Sequence, residues 1–109
     1  MSGADPLPPG LPIDDRSAAL YTVGQVSDML GVQPAYLRRL DTEGLVQPAR
    51  SDGGQRRYSR DEIATVQYVN ALVAEGLTLA GIRRLLVLEA ELADLKRQLE
   101  VERARRRRA

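Results

Sequence analysis

The chain has 109 residues, about one small domain with an arm or tail. Hydrophobic residues make up 43% and charged residues 28%, and 16 Lys+Arg against 15 Asp+Glu leave a net charge of only +1. With no cysteine and no histidine, disulfides, thiolate metal sites, redox switches, Cys nucleophiles and imidazole bases are excluded.

No apolar run approaches the roughly 18 residues that would suggest a membrane span. Met1 to Asp15 lack the basic start and apolar stretch of a secretory signal. Without Phe or Trp, the core must be built from Leu, Val, Ile and Ala. Such a core is modest, and oligomerisation is a common way to support one.

Residues 1–19 hold four of the six prolines, Pro6, Pro8, Pro9 and Pro12, and read as a flexible Pro-rich arm or a leader without function. From Tyr21 the texture changes. Thr22 and Gln25 fit a capping box, and Val23, Val26, Met29 and Leu30 recur at helical spacing. Gly31 offers a left-handed stop. Pro34 suits a first helical turn, and a second helix is expected to Glu43 with Leu37 and Leu40 on one face and Gly44 as its cap. Helix, tight turn and helix within about 23 residues is a helix-turn-helix pattern.

Residues 45–50 and 55–58 read as extended pieces around the turn Ser51-Asp52-Gly53-Gly54, with both glycines expected at positive φ. A lone hairpin is marginal in water, so it must pack on neighbouring helices. Ser59 and Glu62 form a second capping box ahead of Ile63, Val66, Val69, Leu72 and Val73, with Gly76 ending that helix. Thr78 can cap a further helix bearing Leu79, Ile82, Leu85 and Leu86. Gly81 there permits a close approach or simply weakens the helix. Leu85, Leu88, Leu92, Leu95 and Leu99 then step by three and four, a short coiled-coil seam. The two uses for it are dimerisation and folding back on its own domain.

The small net charge is a cancellation. Residues 34–60 carry Arg38, Arg39, Arg50, Arg56, Arg57 and Arg60 against Asp41, Glu43 and Asp52, a net of +3. Residues 103–109 add five arginines and no acid. Every basic residue but Lys96 is arginine, whose planar donor fork suits phosphate oxygens and the guanine edge. Arg38 and Arg39 lie where a recognition helix meets the major groove. Arg56, Arg57 and Tyr58 follow the Gly-Gly turn, where a hairpin tip can reach a neighbouring backbone. Tyr58 can offer its O–H to a phosphate. The competing reading is a solvated basic surface. The C-terminal arginine run can bind backbone non-specifically, balance acids on a partner helix, or do nothing.

The runs Tyr21–Val32, Leu37-Arg38, Glu43–Val46, Gly54–Ser59 and Asp61-Glu62-Ile63 resemble the DNA-binding domain of the MerR family, over roughly residues 20–86. Within it, Glu75–Leu86 and the leucine seam are most similar to the HspR-like heat-shock repressor branch. The resemblance implies a mainly α fold with a small β-hairpin wing: a winged helix-turn-helix followed by a dimerising coiled-coil helix. It implies an arm over 1–19, a DNA-binding domain over 20–86 and a coiled-coil helix with basic tail over 87–109. DNA contacts then fall on Thr22, Tyr36, Arg38, Arg39, Arg50, Gln55, Arg56, Arg57 and Tyr58, and dimerisation on Leu85, Leu88, Leu92, Leu95 and Leu99. The family's second helix usually reads Thr-Leu/Ile-Arg-Tyr-Tyr-Glu. Here Tyr36-Leu37-Arg38-Arg39-Leu40-Asp41 replaces both tyrosines, so Arg39 and Tyr36 are the candidates to take over their phosphate grip.

The resemblance implies a cytoplasmic, nucleoid-associated regulator rather than an enzyme. It would act as a homodimer on an inverted repeat in double-stranded DNA, which it bends and untwists, and the heat-shock branch favours repression. No metal or cofactor is expected, nor the effector domain that many relatives carry. Input is then expected through a protein partner such as a chaperone, through abundance, or through the DNA itself. The rival readings are an architectural or excisionase-like DNA protein and a protein-interaction adaptor built on the coiled coil.

Overall fold

A computed structural model describes residues 15–109. Most of the expected arm therefore lies outside the described residues. The elements run β1 (Tyr21–Thr22), α1 (Val23–Leu30), α2 (Pro34–Thr42), β2 (Ala49–Arg50), β3 (Arg56–Tyr58), α3 (Arg60–Ala74) and α4 (Leu79–Arg108).

Local chemistry sets most of these boundaries. Thr22 Oγ1 accepts from the Gln25 amide at 3.1 Å while Gln25 Oε1 accepts from the Thr22 amide at 2.8 Å. This reciprocal pair satisfies two amides that a helix start otherwise strands. Ser59 and Glu62 repeat the arrangement at the start of α3, and Thr78 caps α4 through the Gly81 amide. Gly31 ends α1 at φ 66°, in the left-handed region that glycine enters without a Cβ clash.

The sheet corrects one expectation and adds to another. Tyr21 and Thr22 form a third strand, giving the order β1-β3-β2 with both pairings antiparallel. Tyr21 pairs with Tyr58, Thr22 with Arg57, Ala49 with Arg57 and Arg50 with Arg56. At the wing tip only Gly54 has positive φ, at 81°; Gly53 does not. The Gly54 amide donates to Ser51 O at 2.8 Å and the Ser51 amide to Gln55 O at 2.7 Å. One left-handed residue after a tight turn is enough to close a hairpin of this length.

The core comprises Val26, Leu37, Leu40, Leu45, Val46, Tyr58, Ile63, Val66, Val69, Leu72 and Ile82. It joins the helix-turn-helix, the base of the wing, α3 and the first turns of α4. Leu45 and Val46 precede the wing strand proper and fill the space beneath it. Met29 and Val73, expected on apolar faces, are exposed. The helix α4 runs unbroken through residues 86 and 87, where a domain boundary was expected. Its 30 residues span about 45 Å. Ile82 is buried and Leu79, Leu85 and Leu86 pack against the core. The Tyr68 hydroxyl donates to Glu89 Oε2 at 2.7 Å, tying α3 to α4. From Leu88 onward the seam residues Leu88, Leu92, Leu95 and Leu99 are exposed, so the helix does not fold back over its own domain.

Candidate nucleic-acid interface

The wing, the start of α1 and the exposed side of α2 enclose a shallow groove of about 340 Å³. Thr22, Val23, Gly24, Arg38, Arg50, Gly54, Gln55, Arg56 and Arg57 line it. Six of the nine candidate contact residues thus meet in one concavity. Four of them are arginines, and no carboxylate is among the lining residues. The start of α1 adds the positive end of its helix dipole, which favours an anion there.

Each arginine is held differently. Arg38 and Arg57 form no ion pair among the described residues, and Arg57 Nη1 donates to Arg56 O at 3.3 Å. Arg56 and Arg50 share one carboxylate oxygen: Asp41 Oδ2 accepts from Arg56 Nε at 2.7 Å and from Arg50 Nη2 at 3.1 Å. Asp41 is absent from the contact residues expected from the sequence, where it counts only as one of three acids in a basic stretch. The signal available was an acid in the last turn of α2, three residues after Arg38, within a basic stretch.

The three remaining candidates lie elsewhere. Arg39 points along α2 to Glu43, whose other oxygen meets Arg83 of α4, both at 3.6 Å. Tyr36 packs on the core on the other side of α2 and lines an apolar cleft with Val32, Gln33, Asn70, Val73 and Ala74. Burial raises its pKa above the ordinary phenol value, and Arg39 opposes that shift. Tyr58 needs a correction. It is 1% exposed, so its hydroxyl does not reach the surface where a phosphate would bind. Its position on β3 turns the ring inward, and the hydroxyl has no hydrogen-bond partner among the described residues. Burial raises its pKa too, with Arg56 the largest opposing influence.

No group of three or more His, Cys, Asp or Glu able to hold a metal occurs among the described residues. No helix is long and apolar enough to cross a membrane.

The family model for MerR helix-turn-helix regulatory proteins matches residues 21–88. The chain belongs to the MerR family. It is 38% identical over 78 residues to the heat shock protein HspR of Streptomyces coelicolor, covering 71% of this chain and 52% of that one. It is 30% identical over 76 residues to the transcriptional regulator GlnR of Bacillus cereus, covering 70% and 59%. The chain therefore spans a little over half the length of these MerR relatives. Among solved structures, the N-terminal part of MtaN, the multidrug transporter activator of Bacillus subtilis, aligns with a TM-score of 0.59 at 28% identity, over 78% of this chain and 86% of that one. A MerR-family structure from Bacillus cereus shares the fold at 23% identity and a TM-score of 0.58, over 81% and 70%. The family is one of helix-turn-helix transcriptional regulators and is not enzymatic.

Proposed function

We propose that this MerR-family chain acts as a homodimer that binds an inverted repeat in promoter DNA and represses transcription there. The observation that carries the reading is the groove. Thr22, Arg38, Gln55 and Arg57 converge on it from three separate elements, with arginines and no carboxylate on its lining. Arg38 projects from the second helix of the helix-turn-helix, the element that enters the major groove in such folds. Arg57 and Gln55 on the wing and the positive end of α1 grip the flanking phosphates, and Arg39 extends the basic surface along α2.

The leucines of α4 supply the second half of the proposal. Four exposed leucines at coiled-coil spacing on a projecting helix offer a second copy the area that the small core lacks. A two-fold dimer reads a two-fold site, so the target is an inverted repeat whose spacing α4 sets. Repression follows the similarity to the heat-shock branch.

The test is selection of binding sites from a random duplex pool by the full chain, with the stoichiometry of the complex measured. An enriched inverted repeat bound by two chains is expected. Cooperative coating of long DNA without an enriched site would indicate an architectural protein, and no DNA binding an adaptor.

A further inference from the structure

We infer that Asp41 is a positioning residue for DNA reading, which locks the wing to the reading helix and keeps Arg50 and Arg56 from phosphate. The inference rests on the groove being the DNA interface. Arg50 and Arg56 are directly paired in the β2–β3 register. Two like charges in that position repel and destabilise a hairpin. Asp41 removes the conflict, since its single Oδ2 takes a hydrogen bond from each, at 3.1 Å and 2.7 Å. Arg50 Nη1 also donates to Gly54 O at 3.3 Å, so the same carboxylate is linked to the wing tip.

Burial shows which of these contacts are structural. The Asp41 side chain is 15% exposed and that of Arg56 19%, while that of Arg50 is 50% exposed. A carboxylate this enclosed, beside two cations, is costly to leave unpaired. A phosphate that captured either arginine would strip Asp41 of a partner and loosen the wing. The groove's charge is therefore divided between two jobs. Arg50 and Arg56 are held by Asp41, which offsets one of their two charges, and set the angle between the wing and α2. Arg38 and Arg57, which have no ion pair, face the ligand.

Two duplexes test this with the full chain: one of random sequence, about 30 base pairs, and the one the wild-type chain enriches from a random pool. Asp41→Asn keeps the shape and removes the charge. The ratio of selected to random affinity is expected to fall about tenfold. The salt dependence on random duplex should steepen, because each freed arginine that reaches a phosphate adds about 0.9 to the log–log slope. Arg50→Gln removes the more exposed partner, should fold whatever becomes of Asp41→Asn, and should lower the ratio with the slope unchanged. A wild-type ratio and slope in folded Asp41→Asn would overturn the inference. So would a slope that flattens by a full phosphate equivalent in Arg50→Gln. Failure of the wild-type chain to bind either duplex would instead overturn the DNA reading itself.

Discussion

Tyr58 shows how little a residue's type says without its facing. It lies beside Arg56 and Arg57 in a strand that lines a basic groove, yet its ring is buried in the core. A buried hydroxyl without a partner costs stability, so Tyr58→Phe is expected to be neutral or to stabilise the fold by about 1 kcal/mol at neutral pH. The folded-state pKa of Tyr58 is raised, so the fold favours the protonated phenol. That contribution is intact below the unfolded value of about 10 and is lost as pH rises through the higher folded value. The stability gap between Tyr58→Phe and wild type should therefore widen above about pH 10, as read by thermal melts from pH 7 to 11. A constant gap would show that Tyr58 titrates alike in both states. The arginines teach the same lesson. Their clustering was legible in the sequence; their sorting into paired and unpaired was not, because it depends on a β2–β3 register that only the fold supplies.

At the scale of elements, what could be read locally was read well. Capping boxes are contacts between residues three apart, so both partners are visible in one short stretch of sequence. Ser59→Ala should destabilise the protein by about 1 kcal/mol, measured by denaturant unfolding, since it strands the Glu62 amide at the start of α3. An unchanged midpoint would show that water replaces the cap at no cost. Strand β1 was not legible. Two residues carry no periodicity, and Tyr21-Thr22 pairs with a strand more than 30 residues away. The helix after Thr78 and the leucine seam were legible and overlap at Leu85, and in the fold they are one helix, Leu79–Arg108. Gly81 likewise had two readings. A Cβ there would come within 3.3 Å of Thr78 Oγ1, so its small size makes room for the cap of α4.

The whole molecule is a compact reading head on a projecting helix. The head buries Ile82 at the root of α4, while Leu92 and Leu95 further along are 52% and 61% exposed. Leu92→Glu should leave the head folded by circular dichroism and yield monomers by light scattering, because a charge costs stability in a seam and this seam is short. A persistent dimer would place the contact between copies elsewhere. The central claim is that the groove between α1, α2 and the wing holds DNA, and the salt dependence of binding tests it most directly. Binding of the wild-type chain to its selected duplex should be compared with that of Arg38→Ala and Arg57→Ala from about 50 to 200 mM salt. Each substitution should weaken binding, and each arginine on a phosphate should flatten the log–log slope by about 0.9. Wild-type affinity and slope in both variants would move the interface away from this groove.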